Sequence, residues 1–439
     1  MLLYSNILTP RLQYIVEFFS KELFTDPITI TTDASFFQQA DGFKLNYSPQ
    51  AFTGNIFTII PVGLLFENTV QTQAVQCFEA NGLKAFFATA GSFPFDILAA
   101  SFYLLSRYEE YLPHEKDEYG RYAHINSLAF REGFLHQPLV NCWLQVFKQK
   151  LARQFPEILF RKNDFKCILS YDIDIAYSYL HKGFVRTAGG FAKAMLKGNW
   201  AAVKGRWAVL RGQKRDPYDC FEWLDAMHLY CRSKPYYFFL VAKKQAGYDK
   251  NTSTDKKAFQ RLIEYYAGTY KTGLHPSWQS GDDMGLLKEE REWLEAVADT
   301  PITRSRQHYI RMTLPKTYRQ LMKAGIEKDF SMGYGSINGF RASVCSSFAW
   351  YDLEQETATP LLIYPFCFMD ANSFFEQKDK PQQVYAELVR YYEQVRKLNG
   401  MMISVWHNSI LGTDPMFKGW RELFELFMKE TVYWDAYSD

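Results

Sequence analysis

Cysteine is sparse and unpatterned: Cys77, Cys142, Cys167, Cys220, Cys231, Cys345 and Cys367 make an odd set with no Cys-x-x-Cys pair. That argues against a disulfide framework and against thiolate zinc, and the seven read as buried thiols. No stretch reaches the ~18 consecutive apolar residues that a spanning helix needs. The start, MLLYSNILTPRLQYIVEFF, lacks the basic opening, continuous apolar run and small-residue cleavage site of a secretory signal. A cytoplasmic location is expected, with peripheral contact at the inner membrane surface left open. Charge of one sign is also missing: 50 Lys and Arg against 48 Asp and Glu leave a net +2. No global field would therefore hold nucleic acid or steer a strongly acidic ligand. Neither an internal repeat nor a low-complexity tract occurs.

What is present describes a globular chain. A hydrophobic fraction of 47% and a charged fraction of 22% exclude disorder, collagen and coiled coil as the dominant architecture. The length of 439 residues suggests two to three domains, or a large barrel with a smaller partner. Aromatics reach 17%, and Tyr and Trp have polar ends that suit ligand grooves as well as cores.

Residues 1–160 alternate helical and strand-like pieces, predicting a small α/β domain. LTPRLQYIVEFFSKEL has helical spacing, PITITTD is β-rich, and NIFTIIPVGLLF has buried-strand character. Amphipathic helices are expected at 95–111 and 138–155, with HEKDEYGRYAHIN as a loop between them. From Phe165 the pattern becomes short apolar runs, many ending in an ionisable residue, with helix-like segments between several of them. Strand, helix, strand repeated this way means a parallel sheet or barrel over 161–439. Such folds carry chemistry at the carboxyl ends of strands, where Asp172, Asp174, His275, Asp370 and His407 fall.

SYDID places Asp172 and Asp174 after an apolar run, where they serve either as caps of a following helix or as one metal ligand and one base. GLHPSW ends a strand at His275, because Pro276 cannot continue a ladder. Its imidazole is either a hydrogen-bonded core group or a ligand for zinc or a similar divalent ion. SVWHN leaves His407 at the end of the last apolar run, where an imidazole can protonate a leaving group. Arg306, Arg311 and Arg341 lie beside apolar residues and need carboxylate partners, for which the two aspartates are candidates.

The order Asp-x-Asp, Leu-His-Pro-Ser, Gly-Phe-Arg and a late strand ending in His resembles the polysaccharide deacetylase family, the family 4 carbohydrate esterases with a NodB homology domain. The resemblance covers roughly residues 165–410. SYDIDIAYSYLHKG, GLHPSW, SRQHYIRM, SMGYGSINGFRAS and the earlier LLSRYEEYLPH look like a bacterial subgroup with an amino-terminal α/β domain. It implies a distorted (β/α) barrel of about seven parallel strands. It also implies a base at Asp172, metal ligands at Asp174 and His275, an arginine holding the base at Arg341, and an acid at His407. The usual second metal histidine falls at Gln279, leaving two obvious protein ligands. His308 in RQHYIR is either the third ligand or a core or cap histidine.

A working site would perform metal-assisted hydrolysis of an acetyl amide or ester on a sugar, with zinc, cobalt or nickel as the ion. The alternative is a deacetylase-derived barrel that binds a glycan without chemistry. A phosphate-dependent metallohydrolase is disfavoured, since no glycine-rich cradle precedes a helix near Asp172.

Between His181 and Arg215 stand nine basic residues and no acid, interleaved with Phe184, Phe191, Met195, Leu196, Trp200, Trp207 and Leu210. This predicts a basic amphipathic helical insertion at about 181–216. It is either a solvated lid on the barrel mouth or a contact for an anionic membrane or a lipid-linked saccharide. No nucleic-acid motif accompanies it.

Overall fold

The protein is described by a computed structural model over residues 1–433. At the amino terminus, β1 (Leu2–Ser5), β2 (Thr29–Thr31), β3 (Lys44–Tyr47) and β4 (Ile56–Thr58) form a parallel sheet in the order β2-β1-β3-β4. The helix Pro10–Leu23 begins as its sequence suggests, with Pro10 in the first turn and the Thr9 hydroxyl accepting from the Leu12 amide at 3.2 Å. A hairpin of β5 (Phe78–Ala80) and β6 (Leu83–Ala85) follows. The expected helix at 95–111 is shorter, Ile97–Leu105, and the helix Leu139–Gln154 closes this part.

The second sheet contains β7 (Lys166–Ile173), β8 (Tyr236–Leu240), β9 (Lys271–His275), β10 (Arg304–Ser305), β11 (Lys328–Asp329), β12 (Phe348–Asp352), β13 (Thr357–Ile363), β14 (Phe368–Met369) and β15 (Met401–His407). Its nine strands run in the order β12-β13-β11-β10-β9-β8-β7-β15-β14. All neighbours are parallel except β12 against β13. Against the expected distorted barrel of about seven parallel strands, the sheet has nine strands, and among the described residues no ladder joins β12 to β14. The run TPLLIYPFCFMD is two strands, because Pro365 stands between β13 and β14.

Along β7, Leu169, Tyr171 and Ile173 face the main core, and the alternate positions Ser170 and Asp172 face the other side. That other side holds a small apolar cluster of Phe238, Ile310, Phe330, Phe366, Met369, Ile403 and Val405. The main core is continuous from Leu3 to Val432, so the amino-terminal part and the large sheet share one interior. Polar bonds cross the same seam: the Tyr14 hydroxyl donates to Ala349 O at 2.8 Å, and the Phe340 amide to Leu135 O at 2.8 Å. Gly339 permits the second approach. Its φ is 140°, and a Cβ there would stand 2.7 Å from Leu135 Cγ.

Candidate metal centre

The carboxyl ends of β7, β9, β10, β14 and β15 converge. Asp172 lies at the end of β7 and pairs in register with His407 at the end of β15. Its Oδ1 accepts from Arg306 Nη1 at 2.8 Å, while Arg306 Nη2 donates to Ser170 Oγ at 2.8 Å and Nε to Phe330 O at 3.1 Å. The guanidinium is fully buried and sits 4.4 Å from the Phe238 ring, so the carboxylate satisfies a charge that would otherwise be stranded.

His275 Nδ1 is 2.6 Å from Arg306 O. A carbonyl only accepts, so Nδ1 carries a proton, and Nε2 faces Asp174 Oδ1, 3.1 Å away. His308 repeats the arrangement: Nδ1 is 3.1 Å from Asp249 Oδ1, and Nε2 lies 3.9 Å from Asp174 Oδ1. The ligand atoms of Asp174, His275 and His308 all lie within 4.8 Å of one another. Asp174 Oδ1 is buried and has no hydrogen-bond partner. With neutral imidazoles the three ligand atoms face one another as acceptors away from water, an arrangement relieved either by imidazolium protons or by a shared cation. Burial alone would raise the Asp174 carboxyl, yet His308, His275 and His407 hold it well below the usual range. Burial would lower His275, and Asp172 and Asp174 raise it instead.

His407 is oriented by Asp370, just after β14: Nδ1 is 2.6 Å from Oδ1, and the backbone amide donates to Oδ2 at 2.8 Å. Its Nε2 is 3.8 Å from Asp174 Oδ2. Burial disfavours the imidazolium, but Asp370, with Asp174 and Asp172 behind it, pushes the pKa up to about 10.

Asp172, Asp174, His275, His308 and His407 are thus brought together, whereas Arg341 is not with them. Its Nε and Nη2 grip Glu110 at 2.9 and 2.7 Å, and its Nη1 donates to Gly333 O at 3.0 Å. The carboxylate that Arg341 needs comes from the LLSRYEEYLP segment, and the arginine on Asp172 is Arg306. Burial pushes Glu110 up, but Arg341 and Arg107 bring it down to about 2. Arg311 serves Trp278 O at 2.7 Å and Asp282, away from both candidate aspartates.

Gln279 does not face the ligand set. Its Nε2 donates to Asp249 Oδ2 at 3.0 Å and to Lys244 O at 3.0 Å, so it steadies the carboxylate that orients His308. His308 itself lies in a short turn, His308–Ile310, after the two-residue β10, and not in a strand. Tyr309 and Ile310 have φ of 57° and 53°, conformations that non-glycine residues rarely adopt and that cluster at functional sites. Arg121 Nη1 holds the Tyr309 carbonyl at 2.7 Å. Sequence reasoning missed Asp249, because GYDKN reads as a turn with no motif, and it placed Asp370 at a strand end without giving it a role.

A cavity of about 390 Å³ opens over the five residues. Tyr119 and Arg121 line it from the loop HEKDEYGRYAHIN, and Tyr218, Tyr309, Phe375 and Phe417 add aromatic surface.

Residues 1–156 match a family described as one of unknown function (DUF7033). No curated protein matches the chain. Among solved structures, a candidate polysaccharide deacetylase from Mycobacterium smegmatis is similar at a TM-score of 0.40 and 13% identity, over 63% of this chain and 86% of that one. A polysaccharide deacetylase from Bacillus cereus is similar at 0.29 and 10% identity, over 61% of this chain and 88% of that one. Among the described residues no helix is long and apolar enough to cross a membrane.

Proposed function

We propose that the protein is a metal-dependent hydrolase of the polysaccharide deacetylase type, removing acetyl groups from an N-acetylated sugar or polysaccharide. The observation that carries this reading is the convergence, within 4.8 Å, of a buried Asp174 oxygen and two imidazole nitrogens whose far sides are tied to Arg306 O and Asp249. Two histidines and one carboxylate with fixed tautomers suit a catalytic zinc or similar ion, so the residues present fit the group. When bound, such an ion supplies Lewis acidity to the acyl carbonyl and lets water act as a nucleophile at neutral pH.

The remaining chemistry belongs to the chain. Arg306 fixes Asp172 through Oδ1 and leaves Oδ2 toward the cavity to take a proton from the attacking water. Asp370 turns His407 so that Nε2 faces the cavity, where it gives a proton to the departing sugar nitrogen. The aromatic rings around the opening offer apolar surface for sugar faces and help exclude water. Zinc is the first choice of ion, with cobalt and nickel as alternatives. The alternative, a non-catalytic glycan-binding module in the same cavity, predicts glycan binding without acetate release.

Release of acetate from N-acetylated glucosamine oligomers tests the proposal. Asp172→Asn should lower turnover by about 10²–10⁴ with divalent-ion content unchanged. Asp174→Asn and His275→Ala should lose both. Equal metal loss in all three variants, or no acetate release by the metal-loaded wild type, would overturn the reading.

A further inference from the structure

A second cavity, of about 260 Å³, adjoins the first and shares Ile175 with it. Lys182, Arg186, Arg206 and Lys250 line it, and no carboxylate does. Arg206 is built in: its Cζ is 4.4 Å from the Tyr179 ring and 5.6 Å from the Phe191 ring. It also lies against Gly190, where a Cβ would stand 2.6 Å from that Cζ, so the guanidinium packs directly on the helix backbone there. Arg186 donates to Gln245 Oε1. The nearby acid, Asp216, is occupied by the amides of Ser178, Tyr179 and Leu180 at 2.7–2.9 Å. Burial lowers the Lys182 pKa to about 8, with Asp216 opposing and Arg206 and Arg186 adding to the fall.

Four cations line one open pocket with no carboxylate among them, and phosphate oxygens match the planar fork of arginine. We propose that this cavity is a subsite for a phosphate or diphosphate group. The molecule whose sugar reaches Asp174 then carries a phosphate at its other end. The assignment of the sugar end rests on the function proposed above, whereas phosphate binding stands apart from it.

Two sources supply that chemistry, a free sugar phosphate and a lipid-linked saccharide. The helices Gly183–Leu196 and Trp200–Leu210, which carry Arg186 and Arg206, bury only Val209. They expose Phe184, Val185, Leu196 and Trp200 by 87, 82, 89 and 62%. On the first helix Val185, Ala192 and Leu196 share a stripe flanked by Arg186, Lys193 and Lys197, the pattern of a helix lying on an anionic bilayer.

The test uses the full chain and reads binding, not turnover. Inorganic pyrophosphate is titrated calorimetrically into wild type, Lys182→Gln, Lys250→Gln and Arg206→Gln, with circular dichroism and metal content as controls. Vesicles of phosphatidylglycerol and of phosphatidylcholine are co-sedimented with the same proteins and with Val185→Asp/Leu196→Asp. Pyrophosphate should bind wild type and weaken at least tenfold in Lys182→Gln and Lys250→Gln, even if Arg206→Gln fails to fold. Anionic vesicles that bind wild type and are lost in both sets of variants would name the lipid source. Pyrophosphate binding without vesicle binding would name the soluble one. No pyrophosphate binding, or binding indifferent to the cavity substitutions, would overturn the proposal, whereas pyrophosphate binding with vesicle binding that depends only on Val185 and Leu196 would again name the soluble source. Because no acetate is measured, failure here is distinct from failure of the deacetylase reading.

Discussion

Replacing Asp249 removes an acceptor behind a metal ligand and leaves every proposed ligand in place. Its Oδ1 takes the His308 Nδ1 proton at 3.1 Å and the Trp278 amide at 2.7 Å, and its Oδ2 takes the Gln279 side-chain amide at 3.0 Å. Partners of this kind are worth about 10–100-fold in metal affinity, or roughly 1.4–2.7 kcal/mol. Asp249→Asn keeps an oxygen for His308 but loses the charge that raises imidazole basicity, so about tenfold is expected. Asp249→Ala also frees the ring to rotate, and about 100-fold is expected. Competition for zinc or cobalt against a chromophoric chelator measures both, beside His308→Ala, which should lose more than either. Wild-type affinity in Asp249→Ala together with a large loss in His275→Ala would show that His308 is not a ligand.

Asp370→Asn should lower kcat by about 10²-fold with metal content intact, because His407, the proposed general acid, loses the group that orients it; steady-state kinetics with metal analysis checks this, and an unchanged kcat refutes it. Arg341→Met leaves Glu110 buried with Arg107 alone and should cost about 3–5 kcal/mol in urea unfolding while sparing turnover per folded molecule. Arg306→Met should instead depress turnover, so the reverse pattern would restore Arg341 to the site. Burial raises the Asp96 pKa to about 6, against hydrogen bonds from Ala99, Val62 and Tyr47. A carboxyl raised above its unfolded value near 3.9 contributes its full stability below about pH 4 and loses it as pH rises through 6, a change of about 3 kcal/mol. Urea unfolding of wild type and Asp96→Asn across that window should show wild type losing ground relative to the variant as pH rises, and parallel profiles would refute it.

Much of the site was legible because parallel strands end in functional groups: Asp172, Asp174, His275 and His407 each terminate an apolar run, and that juxtaposition survives folding. His308 was harder to read, since apolar neighbours suggested a strand where the chain makes a turn through two left-handed residues. Arg341 and Arg306 exchanged roles because the deciding carboxylate, Glu110, is 231 positions from Arg341, and no local pattern reports a pairing across that distance. Asp249 carries no spacing signal at all. The parallel sheet was legible, whereas strands as short as β10, β11 and β14, which periodicity cannot resolve, and the antiparallel β12 at the sheet's edge were not.

Anomalous diffraction at the zinc edge, from crystals of the protein loaded with zinc, tests the central claim most directly. A single strong peak about 2.0–2.2 Å from an Asp174 carboxylate oxygen and from Nε2 of both His275 and His308 is the predicted result. No peak among those three side chains at saturating zinc, or a peak that excludes His308, would contradict it.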